Sequence, residues 1–149
     1  IEARLELGRT LGRLGQHRQR LELYLELDRR DPRGVPPPWL ADAAEDAGCW
    51  EVLERVAARL VDEVRRDSTN GFDSWRGQGQ LAGARLVRGD PTGRARLLAR
   101  APAHPEALAA LVRVERAAEH PLATEDEERL LLAAPGQWRA THRAAGSVS

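Results

Sequence analysis

Residues 5–16 read LELGRTLGRLGQ, a stretch in which leucine and arginine are interrupted by three glycines. Leu7, Leu11 and Leu14 recur at the spacing of one face of an α-helix. Each glycine inside a helix costs about 1 kcal/mol relative to alanine. A helix that keeps several glycines therefore needs them for close packing or for a turn.

The glycines of this stretch have different predicted roles. Gly15 is predicted to form the turn between two paired helices, because glycine adopts positive φ without strain. Gly8 is predicted to lie where a neighbouring helix passes too close for a side chain. Gly12 is predicted to lie on the side of a binding groove.

The composition of the whole chain predicts an all-α protein. The 149 residues suffice for one domain or a short repeat array. Apolar residues are almost all Leu, Ala and Val, whereas Ile, Tyr and Phe, which strands favour, occur once each. The basic residues are all arginine, which is associated with GC-rich genomes and favours a bacterial source.

Proline and glycine divide the chain into about eight short helices joined by short turns. We expect them to form four antiparallel pairs in one domain, followed by a partly disordered tail. The predicted boundaries are 1–135 for the domain, 1–34, 35–67, 72–102 and 104–134 for the pairs, and 136–149 for the tail.

An internal repeat underlies this pairing. Gly15 and Gly48 each close the first helix of a pair and lie 33 residues apart, and Gly89 closes a third such helix. The fourth pair has no glycine at its turn. Such a period is typical of stacked helical hairpins.

Residues 1–34 resemble a tetratricopeptide repeat, a helix–turn–helix unit with a recurrent pattern of small and aromatic residues. Leu7-Gly8 match its leucine–glycine pair, Tyr24 matches an aromatic position and Pro32 matches the closing proline. The sequence departs from the pattern with Arg4 in place of tryptophan and Arg20 in place of a small residue. The resemblance implies a right-handed α-solenoid whose first helices line a concave groove.

The same resemblance implies a non-catalytic scaffold that binds a protein or peptide in this groove. Arg9 and Arg13 would form a basic end, and Asp42 and Asp46 an acidic end beside Trp39. Such a groove would suit a peptide of mixed charge.

Charge alternates in sign along the predicted units. The net charges are +2 for residues 1–34, −4 for 35–70, +4 for 71–104 and −2 for 105–149, which sum to zero. One interpretation is attraction between neighbouring units across their stacking surfaces, and the other is the mixed-charge groove. A zero total charge argues against a general nucleic-acid or membrane surface.

Motifs for catalysis, metal ligation or cofactor binding are not recognised. The stretch GQGQLAG at 77–83 is predicted to be a helix whose small residues admit another helix, not a phosphate loop. His104 and His120 are predicted to cap or flank helices. No apolar run approaches the roughly 20 residues that span a bilayer.

Two alternatives remain at this point. The chain could be a non-repeat helical domain that forms a homodimer or belongs to a larger enzyme or regulator. It could also contact nucleic acid through the arginines between 85 and 100, although no aromatic residue lies among them to stack on bases.

Overall fold

The computed structural model describes residues 2–32, 34–66, 71–100 and 104–146, with the side chains of 64–66, 71–74 and 141–146 left out. Within these ranges the protein is all helical, with nine helices and no strand, which confirms the predicted class. The helices are α1 (Glu2–Arg13), α2 (His17–Arg30), α3 (Pro37–Ala47), α4 (Trp50–Arg66), α5 (Gly71–Val87), α6 (Thr92–Ala99), α7 (Pro105–Ala117), α8 (Ala123–Ala133) and α9 (Pro135–Gly146).

Helices α1, α3, α5 and α7 end in the same turn. A residue one or two positions after each helix has a positive φ angle: Gly15 (74°), Gly48 (68°), Gly89 (100°) and Glu119 (54°). In each turn the next N–H donates to the carbonyl five residues back, as Gln16 does to Leu11 at 2.9 Å. This is the Schellman arrangement, in which two otherwise unpaired carbonyls at a helix end are satisfied. The predicted glycine turns are confirmed, and Glu119 takes the glycine position of the fourth.

Helix α5 packs chiefly against α4 and α7. Its small residues allow the close approach of α7: a Cβ on Gly79 would lie 2.1 Å from the Ala107 carbonyl oxygen. A Cβ on Gly83 would lie 2.7 Å from the Val114 Cβ. The prediction that residues 77–83 admit another helix is therefore confirmed.

The α1–α2 contact confirms the predicted role of Gly8, which is buried. A Cβ at this position would lie 2.2 Å from Cε1 of Tyr24, itself fully buried. A Cβ on Gly12 would lie 3.1 Å from Cδ of Arg20 of α2, and the predicted place of Gly12 beside a groove stays a prediction. The space beside Gly12 therefore accommodates the protein's own arginine.

The carboxyl-terminal region differs from the predicted tail. Helix α9 begins at Pro135, a residue suited to the first helical turn, and packs against α7 and α8. Trp138 lies against the core cluster that contains Leu108 and Leu130. Gln137 of α9 also donates to Glu106 of α7. Helix α9 thus includes residues 136–146 of the predicted tail, and residues 147–149 lie outside the described part.

Candidate partner-binding surfaces

Arg9 and Trp39 come together at the contact between α1 and α3. The Arg9 guanidinium carbon lies 5.3 Å from the centroid of the Trp39 ring, a distance typical of a cation–π contact. Arg9 also donates to Glu6 at 3.0 Å on its own helix. Both partners of Arg9 leave part of its guanidinium exposed.

Arg13 lies one turn further along α1 and is exposed, with a hydrogen bond to Thr10 at 3.3 Å. Arg9, Gly12, Arg13 and Arg20 line a shallow depression of about 380 Å³. Arginines of α1 and α2 thus form a basic surface, and its place at the end of a groove stays a prediction.

The predicted acidic residues are engaged within the protein. Asp46 accepts a hydrogen bond from Arg20 of α2 at 3.1 Å. Asp42 accepts from Arg76 of α5 at 3.1 Å and from Gln80 at 2.9 Å. Each carboxylate therefore joins α3 to a neighbouring helix, and neither presents an unpaired charge to a partner.

Glu45 extends this network across three helices. Its side chain, 9% exposed, accepts from Gln80 of α5 and from Arg113 of α7, each at 3.3 Å. Packed helix axes lie about 8–10 Å apart. Because Glu45 of α3 bonds directly to Arg113 of α7, these two helices come close to each other beside the face of α5 that carries Gln80. No wide groove separates α3 from α7 at this level.

The same electrostatics affect Arg76. Burial alone would lower the pKa of its guanidinium, but the carboxylates of Asp42 and Glu45 outweigh burial and raise the pKa above its ordinary value. The acidic face of α3 is therefore a structural element whose charge is balanced from α2, α5 and α7.

Ion pairs also cross the predicted unit boundaries. In Arg20 with Asp46 at 3.1 Å, and in Arg88 with Glu54, the arginine belongs to a net-positive stretch and the acid to a net-negative one. Arg59 with Asp28 at 3.4 Å, between α4 and α2, has the opposite sense. Attraction between stacked units therefore stays a prediction. Partly exposed pairs of this kind each contribute about 0–1 kcal/mol.

A buried carboxyl pair lies between α7 and α8. Asp126 is fully buried and receives two hydrogen bonds from Arg94, at 2.8 and 2.7 Å. Glu115 beside it is also fully buried, and neither of its oxygens meets a donor. As a carboxylate, Glu115 can only accept hydrogen bonds; once protonated, it can donate to Asp126.

The protonation states follow from this geometry. Burial, and then the neighbouring Asp126, raise the pKa of Glu115 to about 9. Burial would also raise the pKa of Asp126, but the hydrogen bonds from Arg94 and Glu115 outweigh it and hold that pKa below its ordinary value. At neutral pH the pair therefore shares one negative charge, which Arg94 balances.

The arginines between 85 and 100 do not form one cluster, because they contact different partners in the structure. Arg85 and Arg88 pair with Glu54, and Arg94 pairs with Asp126. Arg96 makes no ion pair within the described ranges, and the guanidinium carbon of Arg100 lies 5.8 Å from the centroid of the Trp75 ring.

Trp75 is the aromatic residue that the sequence failed to place beside this cluster. Its ring stacks on His104 at a centroid distance of 4.3 Å and an interplanar angle of 4°. His104 is fixed because its Nδ1 accepts from the Glu106 N–H at 3.2 Å, which confirms its predicted capping role. His120 lies in the turn before α8, where its Nδ1 accepts from the N–H of Leu122 at 3.1 Å.

Within the described ranges, no cluster of three or more His, Cys, Asp or Glu side chains is arranged to hold a metal ion. None of the described helices is both long and apolar enough to cross a bilayer. No known protein family model matches the chain, and no curated protein or solved structure resembles it significantly.

Proposed function

We propose that this protein is a non-catalytic interaction module of stacked helical hairpins, similar to a tetratricopeptide array, that binds a protein or peptide. The four equivalent turns after α1, α3, α5 and α7 support the repeat. The contacts of α1 with α2, α3 with α4, α5 with α6 and α7 with α8 support hairpin pairing. Contacts of α5 with both α3 and α7 support the stacking of successive first helices.

The observation that carries the proposal is the surface formed by Arg9, Arg13 and Trp39. It combines two exposed guanidinium groups with an aromatic ring at the amino-terminal end of the array. Arginine and tryptophan are enriched among the residues that dominate binding energy at protein interfaces. Since Asp42 and Asp46 are paired internally, this surface favours an acidic segment over one of mixed charge.

Binding to an array of synthetic peptides with graded acidic, neutral, mixed and basic content tests this proposal. We expect acidic peptides to bind best, and the double variant Arg9→Glu/Arg13→Glu to lose that preference. The matched control is Arg18→Glu/Arg29→Glu, which changes the net charge equally at exposed positions of α2. Equal losses in both double variants, or equal binding of every peptide class, would contradict the proposal.

A second candidate function is homo-oligomerisation, which the exposed leucines of the outer helices favour. Leu7 of α1 and Leu14, in the turn after it, are 50% and 67% exposed, and Leu132 of α8 is 85% exposed. Light scattering coupled to size exclusion distinguishes the candidates. A stable dimer that Leu7→Gln/Leu14→Gln converts to a monomer would favour self-association, and a monomeric wild type would exclude it at the concentration used.

A further inference from the structure

A small cleft lies between α5, α6 and the start of α7, on helices other than those of the proposed peptide surface. Its volume is about 120 Å³. Trp75 and His104, which stack on each other, line it together with Arg96 and Leu97 of α6. The cleft therefore includes an aromatic surface.

The lining of the cleft is partly apolar and partly cationic. Val61, Leu81 and Leu97 contribute apolar groups. Arg85, Arg96 and Arg100 form its cationic rim, and no carboxylate lies in the lining among the described residues. Two carboxylates outside the lining act on this rim: Glu54 lies 3.6 Å from Arg85, and Asp90 attracts both Arg85 and Arg96. An anion at the rim would thus meet several guanidinium groups whose charge is only partly balanced.

The arginines of the rim differ in how far they are already engaged. Arg85 forms an ion pair with Glu54, but its Nε lies 3.6 Å from the Glu54 Oε1, which is too far for a normal hydrogen bond. Arg96 is exposed and makes no ion pair within the described part of the chain. Arg100 contacts the Trp75 ring, a neutral partner. Arg96 and Arg100 therefore have donors available for a carboxylate, whose planar shape matches a guanidinium.

The volume limits what can enter. Small-molecule pockets usually measure about 300–1,000 Å³, whereas an apolar cavity of about 150 Å³ holds a benzene molecule. A cleft of 120 Å³ thus suits one ring or one branched aliphatic group. Inorganic phosphate would satisfy the arginines but would leave the apolar lining uncovered.

We propose that this cleft binds a small organic acid, with its apolar body against Trp75 and its carboxylate on Arg96 and Arg100. The acid could be a free metabolite or the carboxyl-terminal residue of a peptide, since both present the same chemistry. The cleft shares no residue with the proposed peptide surface of α1 and α3. Either of the two proposals can therefore be refuted without affecting the other.

The test follows the indole N–H signal of Trp75 by nuclear magnetic resonance while ligands are added to the full chain. The signal is assigned by its loss in Trp75→Phe. The acid probes are phenylacetate, 4-methylvalerate and an acetylated dipeptide ending in phenylalanine. The matched probes are phenylacetamide and the amidated dipeptide, which lack the carboxylate, and acetate and phosphate, which lack the apolar body.

We expect saturable shifts with at least one acid probe, at a dissociation constant of about 1 mM or below. The matched probes should bind about tenfold more weakly or not at all. Comparison of phenylacetate with the dipeptide decides whether the source is a free acid or a chain terminus.

The double variant Arg96→Gln/Arg100→Gln should weaken binding by about tenfold or more, since it removes both charged donors. Its control is Arg18→Gln/Arg29→Gln on α2, and circular dichroism checks that each variant is folded. The proposal is overturned if acetate or phosphate binds as well as phenylacetate, if both double variants behave alike, or if no probe gives a saturable shift.

Discussion

The buried Glu115 makes the stability of this protein depend on pH in a direction opposite to that of an ordinary paired carboxylate. Its pKa is about 9 in the folded protein and about 4.5 in the unfolded chain. Between these values the folded state holds a proton that the unfolded state has lost. The free energy of unfolding therefore falls as pH rises from about 4.5 to 9, by about 1.4 kcal/mol per pH unit from this group.

Glu115→Gln removes this dependence and keeps a side chain that can donate to Asp126. Between pH 6 and pH 8 the wild type should lose about 3 kcal/mol relative to the variant. The lowered pKa of Asp126 affects stability only at acid pH and cancels over this interval. Such a loss is large beside the total stability of about 5–15 kcal/mol that small domains have.

Urea unfolding followed by circular dichroism at pH 6, 7 and 8 measures the effect. Glu128→Gln, at an exposed position of α8, is the control and should follow the wild-type profile. Parallel pH profiles for wild type and Glu115→Gln would refute the reasoning, because they would mean that Glu115 is ionised in the folded protein or is hydrated there.

The turns and the helix contacts give further predictions, each measured by the urea midpoint. Glu119→Gly should raise the free energy of unfolding by about 0.5–1 kcal/mol, because φ is positive at this position. Gly15→Ala should lower it by about 1 kcal/mol, because φ is 74° there although no atom lies within 4 Å. Changes of the same sign in the two variants would contradict this reasoning. Gly79→Ala should cost about 3 kcal/mol or more, since the added methyl would overlap the Ala107 carbonyl. Gly136→Ala, with no atom within 4 Å, is its control, and similar effects at the two glycines would argue against the close contact of α5 with α7.

The candidate surfaces were only partly predictable from the sequence. Arg9 and Trp39 were assigned to the basic and the acidic end of one groove, and their direct contact was not foreseen. The engagement of Asp42 by Arg76 was not foreseen, since it depends on how α3 and α5 approach each other. The position of Trp75 beside Arg100 was not foreseen either, because it also depends on how separate helices approach each other.

The buried carboxyl pair was missed for a related reason. In the sequence, Glu115 is one of many charged residues in an amphipathic helix, and Asp126 fits the first turn of α8, where the helix dipole favours acids. Nothing in either local pattern distinguishes a buried carboxyl from a solvated one. Burial depends on the distance between α7 and α8.

The sequence alone determined α1 to α8, their order and most of the turns between them. These features are encoded locally, by apolar periodicity, by proline at helix starts and by the ability of Gly15, Gly48 and Gly89 to adopt positive φ. Only the tertiary structure decided which charges pair, which are buried and where an aromatic ring meets a guanidinium. Those outcomes depend on distances of a few ångströms between residues far apart in the chain, and helical periodicity carries no record of such distances.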